Sequence, residues 1–278
     1  MIEIKNLSFG YKKKGLIYDD FSLNIGRGEV FGLLGKNGTG KTTLLYLLTG
    51  LLHPQKGKVL FNGTDVHKRQ PGTLSEIFIV PEEFELPDIS LKQYVNITAP
   101  FYPKFSHEQL DSCLKVFDMP ADIKFGELSM GQKKKAFICF ALATNTRLLV
   151  MDEPSNGLDI PSKSQFRKAI AMGMSDEKSV IISTHQVRDI DSLLDHVIII
   201  DDKKVLLDAT TTLINERLYF GESEARESNE IIYTQPSIGG NSLLRANRGG
   251  EDSNINLELL FNATLAEREK IAAIFNSK

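Results

Sequence analysis

Apolar and polar side chains alternate over residues 2–9, and again over 21–25 after the loop Lys12-Lys13-Lys14-Gly15, which predicts two strands of an antiparallel layer. Residues 30–34, 148–151, 179–183 and 197–200 are instead almost continuously apolar, the pattern of strands covered on both faces. Residues 58–61, ended by Asn62-Gly63, and 77–80, ended by Pro81, add two more strands. From Asp88 the period lengthens. Residues 91–97, 108–117 and 133–143 have helical spacing punctuated by Pro100, Pro103 and Pro120, so a helical insertion is expected over about 88–140. A helix over 160–173 then restores an alternating β/α order, complete by 205–207. Beyond Asp208 the chain offers a helix at 210–217, a charged stretch at 222–227, and strands at 231–234 and 243–246 around a Pro- and Gly-containing loop. The closing helix, 257–275, gathers Leu257, Leu260, Phe261, Leu265, Ile271 and Phe275 near one face. The expected division is therefore 1–208 and a small α+β accessory domain at 209–278, without which the first part should still fold. A disordered tail is the weaker alternative, because the closing helix is so apolar.

Between the buried strand 30–34 and the apolar helix 43–48 stand residues 35–42, Gly-Lys-Asn-Gly-Thr-Gly-Lys-Thr, the strand, loop and helix context of a phosphate-binding loop. Gly35, Gly38 and Gly40 are expected to take positive φ and, with Asn37, to turn backbone N–H groups toward phosphate oxygens, aided by the positive end of the helix. Lys41 suits the β- and γ-phosphates, the Thr42 hydroxyl suits Mg²⁺, and Thr43 completes the set. Asp152-Glu153-Pro154 follows a buried strand directly, facing the crevice where such sheets bind ligands. There Asp152 is placed for the hydration shell of Mg²⁺ and Glu153 for polarising a water. His185 lies just past the end of the next strand, and Tyr11 offers an aromatic face for stacking on a base.

Composition narrows the class. Of 278 residues, 41% are hydrophobic and 25% charged, an ordinary globular balance, and a net charge of -3 gives no global field for nucleic acid or anionic lipid. Cys113 and Cys139 sit among apolar residues of predicted helices, as buried thiols in a reducing compartment rather than a metal or disulfide framework. No N-terminal signal pattern is present, and no apolar run approaches the roughly 20 residues that span a bilayer. The chain alone is expected to be cytosolic. The run Lys133-Lys134-Lys135 is expected to be a solvated helix face.

Residues 128–132, Leu-Ser-Met-Gly-Gln, complete a combination that the separate motifs do not make alone. In order, Tyr11, the loop 35–42, this pentapeptide, Asp152-Glu153, Leu158-Asp159 and His185 resemble the ATP-binding cassette family, the ATP-binding subunits of ABC transporters, over about the first 208 residues. The resemblance implies a P-loop NTPase core of RecA-like α/β type with an antiparallel β layer and a helical insertion. It implies ATP and Mg²⁺ as ligands and ATP hydrolysis as the activity. Two cassettes would pair head to tail, with Ser129, Gly131 and Gln132 of one covering the ATP of the other. Glu153 would be the general base, His185 would hold the γ-phosphate and the water, and Asp159 would link the two sites. A membrane-spanning permease would dock between the core and the insertion, where Phe84, Leu86, Tyr94 and Tyr102 are candidate contacts. That would leave the chain peripheral on the inner face of the cell membrane, with no nucleic acid partner.

The short insertion and the sequence Phe101-Tyr102-Pro103 resemble the exporter-like branch with a separate membrane subunit. A glutamine commonly follows the strand ending at Val80 in this family. Here Glu82 takes its place, and a carboxylate is the harder Mg²⁺ ligand. The alternative function is a soluble cassette that remodels a ribosome or DNA-repair complex. Relatives of that kind usually carry two cassettes or a coiled-coil insertion, and neither feature is seen.

Overall fold

The computed structural model describes residues 1–12, 15–223, 231–237 and 240–276. Its elements are β1 (Ile2–Tyr11), β2 (Gly15–Ile25), β3 (Val30–Leu34), α1 (Lys41–Leu48), β4 (Lys56–Phe61), β5 (Thr64–Asp65), α2 (Pro71–Leu74) and β6 (Ile77–Val80). Then come α3 (Leu91–Thr98), α4 (His107–Val116), α5 (Met130–Ala143), β7 (Leu148–Asp152), α6 (Ile160–Met172), β8 (Ser179–Thr184) and β9 (His196–Asp201). The chain closes with β10 (Lys204–Thr210), α7 (Thr211–Arg217), β11 (Leu218–Ser223), β12 (Ile231–Ser237), β13 (Gly240–Ala246), α8 (Leu257–Ala266) and α9 (Arg268–Asn276).

The central sheet runs β10-β9-β3-β8-β7-β6, parallel except for the antiparallel edge strand β10. Its strands are apolar on both faces because both are covered, and the pleat divides them residue by residue. Val30, Leu34, Leu149, Met151, Val180, Ile182, Val197 and Ile199 join one cluster with α4, α5 and α6. Phe31, Leu33, Leu148, Val150, Ile181, Ile198 and Ile200 join the other, beneath α1 and the antiparallel sheet β2-β1-β4-β5. The middle of α5, Ala136 to Ala143, is buried on every side, as befits a helix apolar all round.

This parallel order brings the ends of β3, β6, β7 and β8 to one rim, where the chain leaves the sheet into the loops that carry the motifs. The predicted helical insertion is α3, α4 and α5, the last running on to Ala143.

The C-terminal part differs from expectation in detail. Its sheet has three strands, β11-β13-β12, and β11 includes Glu222 of the stretch read as charged linker. Residues 224–227 of that stretch, Lys13, Lys14 and part of the loop between β12 and β13 lie outside the described residues. The closing helix is two helices, broken at Glu267, whose φ of -121° and ψ of 48° leave the helical region. The expected division at 208 falls inside β10. Ile214, Leu218, Phe220, Leu244, Leu257, Leu260 and Ala263 belong to the same cluster as Val197, Ile199 and Leu207.

Candidate nucleotide site

The loop between β3 and α1 forms one wall of a cleft of ≈ 790 Å³, lined by Tyr11, residues 36–43, Glu82, Glu153, His185 and the turn at Asp201 to Lys203. Gly38 and Gly40 take φ of 83° and 103°, and a Cβ on Gly40 would lie 2.6 Å from Ile17 Cγ2. Gly35 corrects the expectation, since it has no positive φ. It must be glycine because a Cβ would meet Thr39 Oγ1 at 2.6 Å and the Ile200 carbonyl at 2.9 Å. The Tyr18 hydroxyl donates to the Gly40 carbonyl at 3.0 Å from beneath. Lys41 is buried, and its ammonium donates to the carbonyls of Gly35 (2.7 Å) and Lys36 (3.3 Å). Burial pulls its pKa down, and the carboxylates of Glu153, Asp152 and Glu82 pull it back up. Tyr11 is part-exposed with its ring edge on Phe9, and its hydroxyl is 3.4 Å from Thr43 Oγ1, which spends the Thr43 hydroxyl on the tyrosine.

The opposite wall is acidic. Ser183 Oγ donates to Asp152 Oδ1, while Asp152 Oδ2 is buried with no hydrogen-bond partner among the described residues. Glu153 has φ of 45°, a conformation side chains rarely adopt, and its carboxylate reaches His185, with Oε1 2.8 Å from Nδ1 and Oε2 accepting from the His185 backbone N–H at 3.4 Å. Asn156 Nδ2 donates to Glu82 Oε1 at 3.0 Å. Lysine, two carboxylates and a histidine thus face one another across the cleft, an arrangement suited to binding a polyphosphate and moving a proton beside it.

The family model described as ABC transporter matches residues 18–156. The ABC transporter ATP-binding protein YtrB of Bacillus subtilis (strain 168) is 30% identical over 207 residues, covering 74% of this chain and 70% of its own length. The SkfA peptide export ATP-binding protein SkfE of the same organism is 31% identical over 217 residues, 75% and 88% of the two chains. Among solved structures, cbiO1 from Clostridium perfringens, part of the ABC transporter complex cbiONQ, superposes with a TM-score of 0.63 at 28% identity, over 75% and 88%. The chain belongs to the ABC transporter family. It is an ATP-binding cassette, and it hydrolyses ATP to drive transport.

The cassette's signature stands elsewhere on the molecule. Ser129, Gly131 and Gln132 are not among the residues lining the cleft; they start α5 next to the loop after β7, where a Cβ on Gly131 would approach the Gly157 carbonyl to 3.3 Å. Ser129 and Gln132 form a capping box, Ser129 Oγ accepting from Gln132 N–H at 3.3 Å and Gln132 Oε1 from Ser129 N–H at 3.0 Å. The spacing Ser-x-x-Gln carried that signal in the sequence. Asp159 likewise caps α6, accepting from Ser162 N–H at 2.9 Å, and hydrogen bonding from the Ser162 side chain and then its backbone holds the carboxyl below the usual carboxylate range.

One expectation changes. Lys134 is not on a solvated face: it is 6% exposed, and its ammonium donates to the carbonyls of Asn156 (2.9 Å) and Glu153 (3.3 Å). A charge run read along the sequence cannot tell which of three successive lysines the helix turns inward. Phe84, Leu86, Tyr94 and Tyr102 are half-buried against the core, with Phe84 4.7 Å from Phe137 and Tyr94 4.9 Å from Phe140. The side chains left exposed nearby are Phe101, Ile97 and Leu51. Among the described residues, no helix is long and apolar enough to cross a membrane.

Proposed function

We propose that the cassette powers an exporter through a separate permease, working as one of a head-to-tail pair. The observation that carries this reading is the convergence of Lys41, Glu82, Glu153 and His185 on one cleft, with the signature residues outside it. A cleft whose own chain does not supply the signature calls for a second cassette, and the symmetric solution is a two-fold pair enclosing two ATP molecules. The loop 35–42, with Asn37 and the helix N-terminus, holds the phosphates, while Tyr11 stacks on the base. Glu153 takes a proton from the attacking water, and His185, oriented by that same carboxylate, holds the γ-phosphate and the water in line. The partner subunit's Ser129, Gly131 and Gln132 donate to the γ-phosphate, and Asp159 stands between the two sites. Loss of that phosphate opens the pair.

Mg²⁺ fits the residues present, because the buried Asp152 Oδ2 has no partner among the described residues and two further hard-oxygen residues, Thr42 and Glu82, line the cleft. Bound there, it would neutralise charge on the β- and γ-phosphates. The permease docks in the groove of ≈ 790 Å³ between the core and the helical insertion, which Leu51, Leu74, Phe78, Phe101 and Tyr102 line with apolar surface. That docking makes the cassette peripheral on the inner face of the membrane. SkfE, named for peptide export, supports the exporter branch, and cbiO1, named as part of a transporter complex, supports the separate subunits.

The test is association driven by ATP. Glu153→Gln keeps the phosphate cradle but cannot accept a proton from water, so it should trap an ATP-bound dimer on size-exclusion chromatography. Lys41→Ala should stay monomeric in the same buffer. Two monomeric variants at high concentration would sink the paired model.

A further inference from the structure

The left-handed backbone at Glu153 survives only if its surroundings over-determine it. On one side the Glu153 N–H donates to Ser183, to the carbonyl at 3.0 Å and the hydroxyl at 3.3 Å. On the other, the Glu153 carbonyl accepts from Asn156 N–H at 3.2 Å and from Lys134 Nζ at 3.3 Å, and Lys134 also holds the Asn156 carbonyl at 2.9 Å. The turn 153–156 is thus pinned at both of its carbonyl ends by one ammonium from α5. Its side chains extend the same junction: Asn156 Nδ2 donates to Glu82 Oε1 and Asn156 Oδ1 accepts from Gln186 Nε2, both at 3.0 Å. Loops after β6, β7 and β8 therefore meet at a turn whose backbone Lys134 grips.

A buried ammonium is a costly way to fill space, and an aliphatic side chain of similar length would fill it without desolvating a charge. The carboxylates of Glu82, Glu153 and Asp152 oppose that cost, though burial still dominates and leaves the Lys134 pKa below the ordinary lysine range. What the charge adds over an alkyl chain is direction, namely donors aimed at two main-chain oxygens beside the catalytic carboxylate. Lys134 lies five residues beyond Ser129 on the same rigid helix, about 7.5 Å along its axis. Through it the signature end of α5 touches the turn that carries Glu153 in its own chain.

We propose that Lys134 is a positioning residue that locks the left-handed turn 153–156 and so aims the Glu153 carboxylate, linking the seating of the signature on a partner's ATP to the hydrolytic readiness of its own site. The proposal rests on the reading of Glu153 as the general base. Lys134→Met keeps the chain length and removes the donors. It should lower kcat by about 10- to 100-fold, the scale of a misplaced catalytic group, while KM and the affinity for a fluorescent ATP analogue stay within about 2-fold. Lys134→Arg, which keeps charge and donors, should recover part of the loss. In a Glu153→Gln background, adding Lys134→Met should change the residual turnover by less than about 2-fold, because the lysine acts through the carboxylate.

Wild-type kcat in Lys134→Met, an affinity loss as large as the rate loss, or a full further loss on the Glu153→Gln background would each overturn the proposal. Should Lys134→Met not fold, Lys134→Gln, which keeps a donor of shorter reach, is read by the same three measurements. The two readings fail separately. Undiminished turnover in Glu153→Gln removes the base itself, whereas an inactive Glu153→Gln beside a fully active Lys134→Met removes only the positioning role.

Discussion

In the nucleotide cleft, and at the signature and Asp159 outside it, side chains are fixed by polar contacts made over short stretches: Lys41 on the carbonyls of its own loop, Ser129 on Gln132, Asp159 on Ser162. The described residues between 211 and 276 are held in another way. Their part in the structure is Leu218, Phe220, Leu244, Leu257, Leu260 and Ala263 sunk into a cluster shared with Val197, Ile199 and Leu207 of the central sheet. The first region depends on residue type at particular loop positions, and at Gly35 and Gly40 on the shape of their neighbours as well. The second depends chiefly on apolar volume in the right place. Changes in the first are therefore expected to act on activity and changes in the second on stability.

The strongest way to break this comparison is to remove the second region. Deleting residues 209–278 should leave a chain that is recovered as aggregate and shows no cooperative melting. Each buried Leu or Phe contributes about 1.5–3 kcal/mol against a total stability of about 5–15 kcal/mol. The cut also ends the chain inside β10 and uncovers Val197 and Ile199. A soluble, ATP-binding 1–208 fragment would mean that the cassette carries its own core and that the C-terminal sheet is a rider on it.

The first region is probed by a change that should leave stability alone. His185 is part-exposed and bonded chiefly to Glu153, so His185→Ala should shift the melting temperature little while lowering kcat about 100- to 1000-fold, the usual loss when a preorganised polar group is removed from a reacting phosphate. Steady-state ATPase assays beside thermal melts separate the two effects. A variant that loses both together would make His185 structural.

The same contrast explains what could be read from the chain. Residues 36–43, Glu153 and His185 were expected near one another and do line one cleft, because each follows an apolar strand that ends at the same rim of the sheet. At Gly35 the expected positive φ is absent and crowding takes its place: Thr39 presses on it from its own loop and Ile200 from β9, a distant strand that no local pattern reveals. Lys134, Asn156 and Gln186 were missed because their roles depend on three loops meeting in space. β11 was passed over because Gly221 and Glu222 interrupt its apolar face, and pairing with β13 supplies what propensity does not. The break at Glu267 was hidden because apolar residues continue in register on both sides of it.

A smaller effect should appear where the helical insertion meets the sheet. Lys178 is 3% exposed, donates to the Leu142 carbonyl at 3.0 Å, and has its pKa pushed down to about 8 by burial, with the Cys113 thiol pulling it back up. Below pH 8 the group is charged in both the folded and unfolded chains, and the folded state carries the full penalty, about 3 kcal/mol. Between pH 8 and 10.5 the unfolded chain binds more protons, so this contribution to stability improves as pH rises. Lys178→Met should therefore melt higher than wild type at pH 7, less about 1 kcal/mol for the lost hydrogen bond to Leu142, and its advantage should fade toward pH 10.5. A difference independent of pH would show that the lysine is solvated in the folded chain and binds its proton there as it does in the unfolded one.

The smallest effect lies at a surface ion pair between the two regions. Arg188, three residues past His185, pairs with Glu258 in the first turn of α8, with Nε 2.7 Å and a terminal nitrogen 2.6 Å from Glu258 Oε2. The arginine side chain is 82% exposed, so solvent screens the pair, and a double-mutant cycle should give a coupling of less than about 1 kcal/mol that shrinks as salt is raised. Glu258→Ala should cost more than Arg188→Ala by about 0.3–1 kcal/mol, because Glu258 also faces the positive end of α8. Neither change should move kcat if the C-terminal region only covers apolar surface. A coupling above about 2 kcal/mol, or a kcat that falls with Glu258→Ala, would mean that α8 steers the segment carrying His185, and the division between a functional and a stabilising region would fail at this contact.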